Sequence, residues 1–141
     1  MSTRLKDRVC VVTGAARGIG LAIAERFGRE GGRLAAVDVS SHRLELAVER
    51  LRATGLEARG YAIDVGRRDD VHAMFARIEA EFGAPVGALV NNAVWARFQS
   101  LAELDLDTAE RMLRSACRVS PGQCRRRRPK WRNEGAVQSS I

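Results

Sequence analysis

Short apolar runs rich in β-branched residues alternate with longer segments of helical periodicity along most of this chain. The runs that predict strands cover residues 8–13, 33–39, 57–63 and 86–90, and the periodic segments cover residues 18–30, 41–54, 69–82 and 107–115. This alternation is typical of βαβ units, in which helices join parallel strands. Right-handed crossovers then favour the strand order 3-2-1-4. The sequence therefore predicts an α/β domain with a doubly wound parallel sheet.

The alternation stops at about residue 116. Residues 117–141 contain two prolines, no apolar period and no run that predicts a further strand. We therefore expect residues 1–116 to form an incomplete domain, truncated after the fourth strand, and residues 117–141 to form a disordered basic tail. The fourth strand would then be an unpaired edge of the sheet.

The formal net charge of +7 is concentrated in that tail. Residues 1–116 carry 17 Lys and Arg against 16 Asp and Glu, whereas residues 117–141 carry seven basic side chains and one acidic one. Because the excess lies in one short segment and not across the domain, the charge gives little support to a nucleic-acid partner.

Composition also argues against a membrane protein, a secreted protein and a metal site. No apolar run approaches the roughly 20 residues that cross a bilayer, and the opening MSTRLKDRV lacks the apolar segment of a secretory signal. The three cysteines, Cys10, Cys117 and Cys124, are too few and too scattered for a disulfide framework or a zinc site. We expect a cytoplasmic protein with no metal and no membrane partner.

A glycine-rich segment, T-G-A-A-R-G-I-G, lies between the first predicted strand and the first predicted helix. Gly14 allows a tight turn, Gly18 lets the backbone approach a pyrophosphate, and Gly20 lets the helix pack closely on the strand. The N–H groups and the dipole of the helix start favour phosphate. Arg17 either contacts a phosphate or is simply exposed on the turn. The segment predicts a Rossmann-type dinucleotide site that includes Ile19, whose spacing also places it on the buried helix face.

A carboxylate follows at the end of the second predicted strand, where Asp38 lies 18 residues after Gly20. A carboxylate at this place can accept hydrogen bonds from the adenosine ribose hydroxyls and would repel a 2′-phosphate. The sequence therefore predicts NAD as the cofactor in preference to NADP.

The spacing T-G-x-x-x-G-x-G resembles that of the classical short-chain dehydrogenase/reductase family, and so does the opening RLKDRVCVVTG. Asp64 and Val65, just after the third strand, resemble the pair that holds the adenine ring in that family. The segment Asn91-Asn92-Ala93 resembles the family's N-N-A-G, which supports the sheet and lines the nicotinamide ribose. The resemblance assigns Asp64, Val65, Asn91 and Ala93 to the cofactor site.

The resemblance covers residues 4–116, with Val94 in place of the family's glycine. It implies NAD-dependent interconversion of a small-molecule alcohol and ketone. The family's chemistry uses a Tyr-x-x-x-Lys pair, whose tyrosine is the general base. Here Tyr61 is the only tyrosine, and Lys6 and Lys130 are the only lysines, so the chain contains no such pair. We therefore expect no catalytic residue, cofactor binding at most, and no family-type oligomer interface.

The tail, which includes four consecutive arginines at 125–128, has two interpretations. One is a basic arm for nucleic acid or another anionic surface. The other is a shifted reading frame that begins between Arg114 and Arg118. If each codon joins the third base of one triplet to the first two of the next, the tail can encode E-M-A-E-R-G-x-G-A-I-V-N. That text resembles the family's P-x-M-x-x-x-G-x-G-x-I-V-N.

Three hypotheses for the function follow from these observations. The first is a truncated short-chain dehydrogenase, which every motif up to residue 92 favours. The second is a non-catalytic NAD-binding module, which requires measurable NAD affinity and a folded monomer. The third is a nucleic-acid-binding protein, which requires salt-dependent binding that is lost when residues 118–141 are deleted.

Overall fold

The computed structural model describes residues 4–97, 100, 103–117 and 139–140. Its elements are β1 (Val9–Thr13), α1 (Gly18–Arg29), β2 (Arg33–Asp38), α2 (Ser41–Ala53), β3 (Ala58–Ala62), α3 (Arg68–Phe82), β4 (Val86–Asn91), α4 (Leu106–Cys117) and β5 (Ser139–Ser140). The strands form one parallel sheet in the order β3-β2-β1-β4-β5. The predicted α/β class, the doubly wound parallel sheet and the order of the first four strands are confirmed.

The outer side of β4 is partly paired, whereas we expected it to be an unpaired edge of the sheet. In β5, Ser139 pairs with Val90 and Ser140 pairs with Asn91, both in parallel. We predicted no strand in residues 117–141, because this segment has no apolar run, and two serines carry no strand signal of their own. The expectation of a disordered tail concerns residues 118–138 and 141, which lie outside the described residues.

Two apolar clusters cover the two faces of the sheet. Alternate residues of β1 point to opposite faces, so Cys10 and Val12 belong to one cluster and Val9 and Val11 to the other. The first cluster includes buried residues of α1 and α2, such as Ala24, Leu44, Val48 and Leu51. The second includes residues of α3, namely Val71, Met74, Ile78 and Phe82. The core therefore fixes β1 at the centre of the sheet with helices on both faces.

The described helices are of ordinary length for a domain of this class. α3 is the longest of them, with 15 residues. Within the described part of the chain, no helix combines the length and the apolar character that crossing a membrane requires.

Candidate functional site

The residues predicted to bind a dinucleotide lie at the carboxyl edge of the sheet. Gly14 follows β1, Asp38 ends β2, Asp64 follows β3 and Asn91 ends β4. Between β3 and β4 the chain crosses from one side of the central β1 to the other. Ligands of open α/β sheets bind outside the carboxyl ends of the strands at such a switch point. The parallel strands thus place these four residues at one edge.

Residues 14–17, called the glycine loop below, connect β1 to α1 in very little space. Gly14 has φ +67°, and a Cβ atom there would lie 2.8 Å from Nδ2 of Asn92. A Cβ atom on Gly20, in the first turn of α1, would overlap the carbonyl oxygen of Gly14 and lie 2.6 Å from the same Nδ2 atom. The start of α1 therefore lies directly against the end of β1, and glycine at position 20 permits this close approach.

The start of α1 is open on its outer side, as a phosphate site requires. A Cβ atom on Gly18 would meet no atom within 4 Å. The first N–H groups of a helix have no intrahelical partner, and the helix dipole adds partial positive charge there. Arg17 precedes the helix in extended conformation and is exposed, which is compatible with both of its predicted roles. Space, donors and charge at this point fit a pyrophosphate group.

Ile19 corrects one expectation from helical periodicity. Its spacing placed it on the buried face of α1, but its side chain is 66% exposed. The buried positions of α1 are Gly20, Ala24 and Gly28, four residues apart, and Ile19 lies beside this line. An exposed isoleucine beside the glycine loop offers an apolar contact to a ligand.

Asp38 is half-buried beside the glycine loop. Its Oδ2 atom accepts a hydrogen bond from the N–H of Ala16 at 3.2 Å, and its Oδ1 atom accepts one from the N–H of Ser40 at 3.0 Å. The N–H of Ala15 donates to the carbonyl oxygen of Val37 at 3.0 Å. The predicted ribose-binding carboxylate and the predicted phosphate-binding loop are therefore in direct contact.

Asp64 and Val65 follow β3 at the same edge of the sheet. Asp64 is exposed, and its Oδ1 atom accepts a hydrogen bond from the N–H of Gly66 at 2.8 Å, which forms a tight turn. Val65 is 8% exposed and packs in the core cluster of α3. An open groove of about 440 Å³ borders Asp64, between the end of β3 and α3, and extends to Val39. Asp64 therefore lies exposed at the border of this groove, while Val65 is mainly structural.

Thr13 and Asn92 hold the site together, although the sequence analysis did not assign them to it. The Thr13 hydroxyl accepts hydrogen bonds from the N–H groups of Asn92 and Ala93, both at 3.0 Å, and donates to the carbonyl oxygen of Val90 at 3.3 Å. The Asn92 amide donates to the carbonyl oxygen of Thr13 at 3.0 Å. Their positions in the sequence could have indicated this role. Thr13 ends β1 and Asn92 directly follows β4, and both strands end next to the predicted loop.

The segment after β4 lies against the glycine loop. A Cβ atom on Gly14 would lie 3.1 Å from Cα of Ala93, and Asn91 and Ala93 are both half-buried. Val94, where the resemblance expected glycine, is 64% exposed. Its side chain therefore needs no space in the core, and the backbone of this segment accommodates it at the surface.

Comparison with known proteins identifies this arrangement. A family model described as short chain dehydrogenase matches residues 8–118. The chain belongs to the short-chain dehydrogenase family. It is 37% identical over 113 residues to 2-(S)-hydroxypropyl-CoM dehydrogenase 3 of Xanthobacter autotrophicus, which covers 80% of this chain and 44% of that protein. It is 41% identical over 103 residues to D-threitol dehydrogenase of Mycolicibacterium smegmatis, which covers 73% and 39%.

Solved structures of short-chain dehydrogenases have the same fold. One from Novosphingobium aromaticivorans has a TM-score of 0.77 and 29% identity, and covers 81% of this chain and 42% of that chain. One from Burkholderia cenocepacia, in complex with NADP, has a TM-score of 0.75 and 34% identity, and covers 82% and 47%. The chain thus spans less than half the length of these relatives.

The single tyrosine of the chain lies in the apolar cluster between the sheet and α3. Tyr61, on β3, is 2% exposed, and its hydroxyl donates a hydrogen bond to Oε2 of Glu81 on α3 at 2.8 Å. Burial, followed by the bond to Glu81, raises the pKa of the Tyr61 phenol above its usual range. A phenol in this position is a core residue and not a general base. Among the described residues, no cluster of three or more His, Cys, Asp or Glu could hold a metal ion.

Proposed function

We propose that residues 4–97 form the NAD-binding part of a short-chain dehydrogenase. The observation that carries the proposal is the contact between Asp38 and the glycine loop, which places a carboxylate next to an open helix start. A pyrophosphate would lie against the first turn of α1, and the adenosine ribose would lie against Asp38. The cofactor would contact the glycine loop and the first turn of α1, through Gly14, Arg17, Gly18, Ile19 and Gly20.

Asp64 and Val65 would border the adenine ring, and Asn91 and Ala93 would border the ribose of the nicotinamide. The position of all four residues at the carboxyl edge of the sheet supports this assignment. The nicotinamide supplies hydride acceptance or donation when the cofactor is bound. The residues of this chain would bind and orient the cofactor.

The carboxylate of Asp38 favours NAD over NADP. A 2′-phosphate would lie beside this negative charge, and like charges in contact cost on the order of several kcal/mol. The relative from Burkholderia cenocepacia holds NADP, so the family as a whole does not decide the preference. The carboxylate at position 38 supports NAD for this chain.

The 141-residue chain would bind the cofactor without turnover, because it contains no Tyr-x-x-x-Lys pair. Hydride transfer to or from an alcohol requires a coupled proton transfer, and no positioned group provides it. Relatives named as dehydrogenases of hydroxypropyl-CoM and D-threitol support a small hydroxylated substrate for a complete protein. Incubation with NAD and a panel of secondary alcohols should produce no NADH, and turnover that disappears in Gly18→Asp would contradict this proposal.

Titration of the purified chain with NADH and NADPH tests the cofactor site. NADH should bind at least about tenfold more tightly than NADPH, given the like-charge repulsion at Asp38. Gly18→Asp should abolish the binding of both, since it adds a carboxylate to the phosphate site, and Gly18→Asn is the matched neutral control. Both residues tolerate the φ of +56° at this position. Equal or tighter NADPH binding would contradict the role of Asp38, and no binding of either cofactor would contradict the site.

The tail is proposed to be an out-of-frame translation of the family's next helix end and strand. In the alternative frame, the three codons that overlap Ser139 and Ser140 encode the I-V-N that ends the G-x-G-A-I-V-N text. The pairing of these two serines with β4 supports a strand at this place in the fold. A basic arm for nucleic acid remains the second candidate, favoured by the four arginines at 125–128. Salt-dependent nucleic-acid binding that residues 1–117 lack would favour the arm.

A further inference from the structure

The carboxylate of Asp38 lies between two backbone segments that are distant in sequence. One oxygen accepts from Ala16 in the glycine loop, and the other accepts from Ser40 at the entrance to α2. Both partners are N–H donors. The two donors meet two different oxygens, so an asparagine in the same orientation would accept from one donor and face the other with its NH₂ group, whereas a carboxylate accepts from both. Recognition of a ribose alone does not require this arrangement.

The glycine loop is attached to β2 through two successive amides. The N–H of Ala15 donates to the backbone carbonyl of Val37, so this attachment is independent of the side chain at either position. The N–H of Ala16 donates to the Asp38 side chain and therefore depends on the residue at position 38. α1 begins at Gly18, two residues after Ala16, so the position of Ala16 affects where the first turn of α1 starts.

We infer that Asp38 is a positioning residue for the phosphate-binding loop as well as the ribose ligand of the proposed cofactor site, on which this inference rests. Each carboxylate oxygen accepts one backbone N–H and keeps a second acceptor direction for a ribose hydroxyl. The same group therefore fixes the loop that receives the pyrophosphate and contacts the sugar next to it. Its charge and its hydrogen bonds have separate effects on cofactor binding.

Two substitutions at Asp38 separate these effects. Asp38→Asn removes the charge and keeps one oxygen acceptor, so NADPH binding should improve and NADH binding should weaken only slightly. Asp38→Ala removes the charge and both acceptors, so the loop loses its side-chain attachment. NADH should then bind about tenfold more weakly or worse than it does to the wild-type chain, and NADPH about tenfold more weakly than it does to Asp38→Asn, as expected for the loss of charge-assisted hydrogen bonds.

Amide hydrogen exchange followed by NMR, without any cofactor, measures the attachment directly. The Ala16 amide should exchange about tenfold or more faster in Asp38→Ala than in the wild-type chain and at an intermediate rate in Asp38→Asn. Amides of β1 should exchange at unchanged rates in both variants, which shows that the fold is retained. Ser40→Pro is the matched control, because it removes the other donor to Asp38, and Ser40 makes no side-chain cap bond to lose. Ala16 should stay protected in it.

Unchanged Ala16 exchange in Asp38→Ala would overturn the inference. So would an Asp38→Ala variant that binds NADPH as tightly as Asp38→Asn does, because the carboxylate would then act only through its charge. A wild-type chain that binds neither cofactor would contradict the proposed function, whereas the exchange measurement would still test the loop attachment by itself.

Discussion

At the scale of single residues, Thr13 is a buried polar side chain at the carboxyl edge of the sheet. The Thr13 hydroxyl, 1% exposed, receives two backbone N–H groups from the segment after β4. A buried donor that loses its acceptor costs more free energy than the bond contributed, since it loses its hydration as well. Thr13 is therefore the residue at which a small chemical change should most affect the contact between β1 and β4.

Thr13→Val should lower the free energy of unfolding by about 3 kcal/mol, because the N–H groups of Asn92 and Ala93 lose their acceptor inside the protein. Thr13→Ser keeps the hydroxyl and loses only a methyl group, so it should cost about 1 kcal/mol. Urea denaturation of both variants measures the difference. Equal losses for the two substitutions would show that the methyl group, and not the hydroxyl, is the important part of Thr13.

The buried Cys10 thiol should make the free energy of unfolding depend on pH in the alkaline range. Burial raises the pKa of its thiol from an ordinary value of 9.0 to about 11. The unfolded chain therefore loses this proton at lower pH than the folded chain, so the stability present below pH 9 should be lost as the pH rises toward 11. The loss should reach about 2 kcal/mol at pH 11. Tyr61, whose pKa is also raised, adds to the loss in the same direction.

Denaturation of the wild-type chain and Cys10→Ala between pH 8 and about pH 11 tests this effect. The substitution should lower stability at pH 8, because it removes a buried side chain, and should reduce the dependence on pH above that. The same pH slope in both proteins would mean that the Cys10 thiol does not contribute to it.

At the scale of elements, the close approach of α1 to β1 determines the shape of the site. Gly20 allows this approach, since a Cβ there would overlap the Gly14 carbonyl oxygen. Helix capping was less predictable from the sequence. Asp107 and Glu110 have the D-x-x-E spacing of a capping box, but Asp105 caps α4, with Oδ1 accepting from the N–H of Thr108 at 2.7 Å. Ser40 precedes α2 without a side-chain cap bond.

Gly20→Ala should lower the free energy of unfolding by more than about 3 kcal/mol, or prevent folding, because the new methyl group overlaps backbone. Gly55→Ala is the matched control. Gly55 lies just after the end of α2, has φ +80°, and has open space around its Cβ position. Its substitution should cost only about 1 kcal/mol of backbone strain. Chemical denaturation measures both, and similar losses would contradict the proposed tight contact.

At the scale of the whole molecule, the outer side of β4 is only partly paired. β5 pairs with Val90 and Asn91, whereas Val86–Leu89 have no outer strand among the described residues. The relatives are more than twice as long as the matched region, since it covers 44% and 39% of two of them. An open strand edge favours association with other chains.

Restoring the reading frame between Arg114 and Arg118 should extend the strand beside β4 and raise stability, because the exposed edge is then paired. The DNA that follows should encode a serine at the end of that strand and a Tyr-x-x-x-Lys pair on the next helix. Sequencing of the locus decides the matter. If no open frame with Tyr-x-x-x-Lys follows within about a hundred codons, a length set by normal domain size, the tail is a genuine basic segment.

The sequence by itself determined the alternation of strands and helices, the strand order and the cofactor motif. These features depend on residue periodicity and on residues such as Gly14 and Gly20, whose requirements are local or lie within one βαβ unit. The boundaries predicted for the first three helices, 18–30, 41–54 and 69–82, agree with the observed helices to within about two residues, the usual uncertainty of helix ends.

Only the tertiary structure decided which groups meet across the sheet edge. The contacts of Asp38 with Ala16 and of Thr13 with Asn92 join residues 22 and 79 positions apart. No local pattern encodes such pairs, because they depend on how neighbouring strands end relative to one another. The exposure of Ile19 is a further case, since helical periodicity shows an apolar stripe on α1, whereas the positions that are buried are Gly20, Ala24 and Gly28.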